Sequence, residues 1–167
     1  MAHEIEHKFL VTSDCFKQLA TGTYYRQGYI PTTNGMTVRI RIAGTQGYIT
    51  MKDHAVGLTR HEFEYPIPAE EARQLLELMC DKPQIEKVRY VIHGVKAWLP
   101  DGTPLDDLHW EVDVFGGDNE GLIVAEIEVP CEEACFEKPD WVGEEVTGNH
   151  KYYNSALCKF PFKRWNL

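Results

Sequence analysis

The chain opens with the stretch Glu4-Ile5-Glu6-His7-Lys8-Phe9-Leu10-Val11, in which charged side chains alternate with mostly apolar ones. Successive side chains of a β-strand point to opposite faces, so Glu4, Glu6 and Lys8 would share one face and the residues between them the other. This spacing predicts a strand with one charged face and one face that can be buried.

The same alternation recurs along most of the chain. Charged residues stand two apart in Arg39/Arg41, Arg60/Glu62/Glu64, Lys87/Arg89, Glu111/Asp113 and Glu126/Glu128, and Lys52 lies on a further alternating stretch. Turn signals such as Asn34-Gly35 and Pro100-Asp101-Gly102 separate these stretches and favour antiparallel strands. Helices are predicted only near 13–20, 69–80 and 149–157, so the fold class is mainly β.

Alternation by itself is typical of a sheet whose charged face is solvated. Here, however, the charged positions favour Arg and Glu, and like charges stand close together on single strands, where they repel. A polyphosphate bound together with a divalent cation would offset that repulsion, because Arg and Lys bind phosphate oxygens and carboxylates hold Mg²⁺ or Mn²⁺. The residues therefore allow either a solvated outer face or the lining of a hydrated barrel.

Composition excludes several classes of protein. The chain has 167 residues, close to one domain, and 43% hydrophobic residues, which excludes a disordered chain. A net charge of -9 has the wrong sign for a nucleic-acid or anionic-membrane partner. The five cysteines are irregularly spaced without a C-x-x-C, so neither a disulfide framework nor a zinc site is predicted. With a polar N-terminus and no apolar run of about 20 residues, we expect a cytoplasmic protein.

A set of motifs in a fixed order resembles the CYTH domain superfamily, also called the triphosphate tunnel metalloenzymes. In chain order these are the E-x-E-x-K of Glu4-Ile5-Glu6-His7-Lys8, the R-x-R of Arg39-Ile40-Arg41, the T-x-K of Thr50-Met51-Lys52, the R-x-E-x-E of Arg60-His61-Glu62-Phe63-Glu64, the K-x-R of Lys87-Val88-Arg89, then Glu111-Val112-Asp113, Glu126-Ile127-Glu128, and Glu145-Val146-Thr147 before Tyr152 and Asn154. E-x-E-x-K alone is a weak pattern, but the ordered set covers residues 4–157. The stretch 95–107 departs from the family by being longer than the short hairpin of compact bacterial members.

The resemblance implies a single domain over residues 1–167, mainly β (α+β), forming a closed eight-stranded antiparallel barrel with flanking helices and its charged faces inward. It implies an enzyme that hydrolyses a linear triphosphate with Mg²⁺ or Mn²⁺, inorganic tripolyphosphate first and nucleoside triphosphates second. The alternatives within the family are a class IV adenylate cyclase and a thiamine triphosphatase. Outside it, a non-catalytic polyphosphate sensor and a lipocalin-like carrier are kept in view. The expected partner is a small-molecule triphosphate, not nucleic acid or a membrane, and a homodimer is left open.

The resemblance also implies roles for individual residues. Phosphate oxygens would be bound by Lys8, Arg39, Arg41, Lys52, Arg60, Lys87 and Arg89. One or two divalent ions would be held by Glu4, Glu6, Glu62, Glu64, Asp113, Glu126 and Glu128, with Glu111 as a further carboxylate near the ions. The catalytic residues would be Lys8, Tyr29, Glu62 and Glu64. Lys8 is interpreted first as a phosphate clamp and alternatively as a base that, with Tyr29, deprotonates the attacking water.

Overall fold

The structure, a computed structural model, describes residues 5–53 and 61–165. The strands are β1 (Ile5–Val11), β2 (Thr23–Ile30), β3 (Thr37–Ala43), β4 (Gln46–Lys52), β5 (Glu62–Ile67), β6 (Ile85–Ile92), β7 (Ala97–Trp98), β8 (Pro104–Leu105), β9 (Trp110–Phe115), β10 (Ile123–Val129), β11 (Cys135–Phe136) and β12 (Val142–Glu145). The α-helices are α1 (Ala69–Leu78) and α2 (Asn154–Lys159). Short 3₁₀ helices span Cys15–Gln18, Gly117–Asn119, His150–Tyr152 and Phe162–Arg164.

Nine strands form one antiparallel sheet in the order β12-β1-β10-β9-β6-β2-β3-β4-β5. The predicted mainly β, antiparallel fold with flanking helices is confirmed. The sheet has nine strands instead of eight because β12, only four residues with Gly143 inside it, adds to the free side of β1. Between residues 5–53 and 61–165, no strand pairing joins the end strands β12 and β5.

The stretch 95–107 does not extend this sheet. It folds back on itself as β7 and β8, and together with β11 these strands make a separate three-stranded sheet.

The helix predictions are confirmed in part. Helix α1 begins after Pro68 with Glu70 and Glu71 in its first turn, where carboxylates complement the helix dipole. The segment predicted at 13–20 is instead a single 3₁₀ turn. The segment at 149–157 is divided into a 3₁₀ turn and α2, because Tyr153 between them has extended backbone angles. Neither α1 nor α2, the α-helices of the described chain, is long and apolar enough to cross a membrane.

The outer face of the sheet is largely apolar, and two cores cover most of it. Helix α1 packs Ala72 and Leu76 against Ile40 and Ile42 of β3. Around β1, β9 and β10 a second core joins Phe9, Phe16, Trp110, Val112, Ala125, Ile127 and Trp141. Burial of these alternate residues forces the charged residues between them onto the other, inner face.

The inner face itself has an apolar part. Ile85, Phe115 and Val124 lie two residues from Lys87, Asp113 and Glu126 on their strands, and so share the inner face with them. They pack against Tyr152 and Leu157 of the C-terminal segment. We call the group Ile85, Phe115, Val124, Tyr152 and Leu157 the apolar floor.

Candidate active site

The charged part of the inner face lines a cavity of about 680 Å³. Its walls include these predicted site residues: Glu6, Lys8, Tyr29, Arg39, Arg41, Lys52, Glu62, Glu64, Arg89, Glu126 and Glu128. The rows of like charge therefore face a shared internal space and do not coat an outer, solvated face.

Four predicted site residues are not among the described residues of these walls. Glu4 and Arg60 fall outside the described residues. Lys87 and Asp113 are 1% exposed and are not among the described residues that line the cavity. They lie beside the apolar floor, since Phe115, next on the inner face after Asp113, pairs with Lys87 across β6 and β9.

Glu111, predicted as a further carboxylate near the ions, also lines the walls. So do five residues that were not assigned a site role from sequence: Thr37, Thr50, Tyr153, Asn154 and Ser155. Thr37 and Thr50 lie on the same strand faces as Arg39 and Lys52, so the period-2 spacing contained their signal. Tyr153, Asn154 and Ser155 come from the C-terminal segment, whose position over the inner face no local pattern reveals.

Asp113 is the centre of a buried ion network. Its carboxylate accepts hydrogen bonds from Lys87 Nζ at 2.7 Å and from Arg89 Nε and Nη2 at 2.7 and 2.8 Å. Burial alone would raise the pKa of Asp113, but the two adjacent cations hold it well below its ordinary value. Arg89 also lies 2.7 Å from Glu111, and Lys87 donates to Asn154 Oδ1 at 3.1 Å. Both oxygens of Asp113 are thus already used by cations.

Arg39 and Arg41 form a positive region of the cavity that is only partly compensated. Arg39 Nη2 lies 3.5 Å from Glu64, but Arg39 Nε is buried and has no hydrogen-bond partner among the described residues. Arg41 donates from Nε to Gln27 Oε1, a neutral acceptor, at 3.0 Å. Burial, together with the positive charges of Arg39 and Arg89, lowers the pKa of Arg41 to about 10. This region therefore needs an anion.

A cluster of carboxylates lies on the side of the cavity made by β1, β9 and β10. Lys8 Nζ is 2.8 Å from Glu126 and 3.9 Å from Glu6. Burial, together with the negative charge of Glu126, raises the pKa of Glu6 to about 7. One lysine does not neutralise this cluster, so it suits a cation.

A second set of carboxylates lies on β5, paired with β4. The register puts Thr50 opposite Glu64 and Lys52 opposite Glu62. Thr50 Oγ1 donates to Glu64 at 2.9 Å, and Lys52 Nζ lies 3.7 Å from Glu62. Both carboxylates are partly exposed and can accept further bonds.

The oxygen donors of the cavity fit a hydrated divalent ion. No three carboxylate, His or Cys side chains within residues 5–53 and 61–165 already converge into a metal ligand set. Mg²⁺, however, commonly keeps several waters and needs only one or two carboxylates together with substrate phosphates. The like-charged Glu6 and Glu126 meet that requirement.

Two tyrosines, Tyr29 and Tyr153, line the cavity together with the lysine of the first motif. Lys8 Nζ is 4.8 Å from the centre of the Tyr153 ring. Tyr29 lines the cavity, and burial raises the pKa of its hydroxyl. Tyr29 is therefore a hydrogen-bond donor at neutral pH.

A second cavity, of about 590 Å³, adjoins the first, since Tyr29, Thr37 and Ser155 line both. Its walls mix apolar groups such as Pro31 and Met36 with the cations Lys82, Lys159 and Arg164.

Comparisons with known proteins identify one family, and several of the similar proteins are named inorganic triphosphatase. The family model of the CYTH domain matches residues 2–160. A curated inorganic triphosphatase from Acetivibrio thermocellus is 47% identical over 165 residues, which are 99% of each protein. A second, from Nitrosomonas europaea, is 36% identical over 158 residues, which cover 93% of this chain and 96% of that one. A crystal structure of an inorganic triphosphatase superposes with a TM-score of 0.64 at 33% identity, covering 95% of both chains.

Proposed function

The chain belongs to the CYTH domain family, and we propose that it hydrolyses inorganic tripolyphosphate to pyrophosphate and orthophosphate with a divalent cation. The observation that carries the proposal is the pair Arg39 and Arg41 inside the cavity. The Nε of Arg39 is buried without a hydrogen-bond partner among the described residues, and the Nε of Arg41 donates to a neutral amide, so neither group is neutralised there by an anion. The two relatives named inorganic triphosphatase support this choice of substrate.

In this proposal the cations of the cavity bind phosphate oxygens. Arg39, Arg41, Lys52 and Arg89 line the walls and present N–H groups to the substrate, and Arg guanidinium groups bind such oxygens through paired hydrogen bonds. Lys87, which is not among the described wall residues, acts indirectly: it shares the carboxylate of Asp113 with Arg89. Arg60, outside the described residues, completes the proposed set.

The divalent ion, Mg²⁺ or Mn²⁺ in our proposal, would be held by Glu6, Glu126 and Glu128, by Glu62 and Glu64, and by Glu4 outside the described residues. A bound ion supplies neutralisation of phosphate charge and activation of water. We assign Asp113 instead to holding Lys87 and Arg89, because those cations already use both of its oxygens.

The chemical step is in-line attack of water on the terminal phosphorus. A bond forms from the water oxygen to that phosphorus, the bond to the bridging oxygen breaks, and the water proton passes to solvent. Glu62 and Glu64 accept hydrogen bonds from the water and orient it. Lys8, which lies 2.8 Å from Glu126 and 3.9 Å from Glu6, acts as a phosphate clamp, while the Tyr29 hydroxyl donates to a phosphate oxygen. Positioning and charge neutralisation account for catalysis.

Metal removal provides the first test. We expect phosphate release from tripolyphosphate with Mg²⁺ or Mn²⁺, and loss of that release with EDTA that excess metal reverses. The same screen includes ATP and thiamine triphosphate, with products separated by chromatography. Equal release in EDTA would contradict the proposed metal dependence, and cyclic AMP as the main product of ATP would replace the hydrolase with a cyclase.

The carboxylates of β5 provide the second test. The double substitution Glu62→Gln with Glu64→Gln is expected to lower kcat by about 10²-fold or more, because it removes two negative charges and replaces one accepting oxygen of each carboxylate by an NH₂ donor. Arg39→Ala is expected mainly to raise KM. Glu132→Gln with Glu133→Gln, two carboxylates outside the cavity, is the matched control and should leave both constants unchanged. Normal kcat in the β5 double variant would remove these carboxylates from the mechanism.

The second cavity favours organic triphosphates as further substrates. Because it opens from the first at Tyr29 and Thr37, a nucleoside attached to a triphosphate in the charged cavity would have a partly apolar space to enter. We therefore propose nucleoside triphosphates as secondary substrates, to be measured in the same screen.

We further propose that residues 1–167 are a single domain located in the cytoplasm. Nine strands between Ile5 and Glu145 form the large sheet, which supports the single domain. All five cysteines are free thiols, as a reducing compartment would keep them, which supports the location.

A further inference from the structure

Two cations of the buried network, Lys87 and Arg89, and the cavity residue Arg41 lie around one aromatic ring. The centre of the Tyr25 ring lies 5.0 Å from the Arg89 guanidinium carbon, 5.2 Å from that of Arg41 and 5.9 Å from Lys87 Nζ. The topology creates this arrangement, since β2 lies between β6 and β3 and the register sets Tyr25 opposite Lys87. Arg41 reaches the ring from the neighbouring strand, where it pairs with Gln27.

Three like charges around one point repel strongly in a poorly hydrated interior. Asp113 compensates Lys87 and Arg89 through its three hydrogen bonds, whereas the hydrogen bond from Arg41 Nε goes to a neutral amide. The face of an aromatic ring carries negative partial charge and attracts cations within about 6 Å of its centre. The ring is thus a second source of compensation, and it reaches Arg41.

We propose that Tyr25 is a positioning residue whose ring fixes the spacing of Arg41 and Arg89 for tripolyphosphate binding. This inference rests on the proposed function. Tyr25 is half-buried and is not one of the described residues that line the cavity, so it acts through the two arginines. An interaction that places binding groups equally for substrate and transition state changes KM and leaves kcat unchanged.

The experiment compares ring-keeping and ring-removing variants. Tyr25→Phe keeps the ring and is expected to keep KM for tripolyphosphate within about twofold. Tyr25→Leu removes it, and KM and the calorimetric Kd are expected to rise about tenfold, with kcat within about twofold. Tyr90→Leu is the matched control: Tyr90 lies on β6 but packs at 5.4 Å against Phe16 in the outer core. It is expected to lower Tm with KM unchanged.

A fluorinated series keeps the test decisive if Tyr25→Leu does not fold. Phenylalanine at position 25 carrying increasing numbers of ring fluorines keeps nearly the same shape while the negative face is withdrawn. KM is expected to rise stepwise with fluorination. A flat series, a wild-type KM in folded Tyr25→Leu, or an equal defect in Tyr25→Phe would each overturn the proposal. Absence of turnover in the unaltered protein would instead reject the proposed function, and the Kd series would still report on the ring.

Discussion

At the scale of single residues, depth in the protein separates the charged groups that can meet a ligand from those that hold them. Asp113 and Glu111 stand two apart on one strand face, yet Asp113 is 1% exposed and Glu111 lines the cavity. A buried carboxylate between two cations is stable only while all three charges are present, because each loses its hydration on burial. Removing one of these charges leaves the others buried without compensation, which destabilises the folded protein.

Asp113→Asn is therefore expected to destabilise the protein by about 3–5 kcal/mol at neutral pH, since it leaves Lys87 and Arg89 buried without their anion. The effect depends on pH in a defined direction. Asp113 has a lowered pKa in the folded protein, so its contribution is present above its unfolded value of 3.8 and is lost as pH falls through the folded value. The difference between the two proteins in urea unfolding should shrink below pH 4. A constant difference down to pH 2 would contradict the ion network.

Sequence spacing predicts which face a residue occupies but not how far along the cavity it lies. Period-2 spacing put Arg39/Arg41 and Glu62/Glu64 each on one strand face, and the family resemblance implied that they share a site; all four line one cavity. The same rule treated Lys87 as equivalent to Arg89, although the apolar floor covers Lys87. The sequence pattern did not single out Tyr25. Its cross-strand neighbours are Ala43 on β3 and Lys87 on β6, and because β6 lies far from β2 in the chain, local spacing does not show which cations lie around the ring.

At the scale of elements, the two helices support different faces of the sheet. Helix α1 covers the outer face of β3 and β4, and its apolar period and dipole-favoured acidic start made it predictable. Helix α2 has only six residues and covers the inner face, where its first residues Asn154 and Ser155 line the cavity. Leu157 of α2 packs in the apolar floor with Ile85, Phe115 and Val124. The position of α2 therefore depends on residues that are far from it in the sequence.

Leu157→Ala and Leu76→Ala separate these two roles. Both leucines are fully buried, so each substitution is expected to cost about 2–5 kcal/mol of stability. Only Leu157→Ala should also raise KM for tripolyphosphate, because it loosens the segment that carries Asn154 to the cavity. Thermal unfolding and steady-state kinetics of both proteins test this. A similar change in KM for Leu76→Ala would show that α2 has no special connection to the site.

At the scale of the whole molecule, the cavity brings together the two ends of the sheet. Within the described residues, these ends are not paired directly with each other. Lys8 and Glu6 lie on β1, next to the end strand β12, and Glu62 and Glu64 lie on the opposite end strand β5. All four line one cavity. The net charge of -9 would repel a triphosphate from the molecule at large, so binding depends on the cations gathered on the inner face. A ligand that contacts residues at both ends of the sheet would stabilise the sheet as a whole.

We therefore expect a non-hydrolysable imido analogue of tripolyphosphate, with Mg²⁺, to stabilise the entire sheet. At about 100 times Kd a ligand contributes about 2.7 kcal/mol, which for a chain of this size raises Tm by roughly 5–10 °C. Amide hydrogen exchange should slow in both β1 and β5, because the ligand reaches carboxylates and cations on each. Orthophosphate at the same concentration is the control, since it is too short to span the cavity. Protection of β1 with unchanged exchange in β5 would mean that the ligand occupies only one side, and that Glu62 and Glu64 belong to a different step than binding.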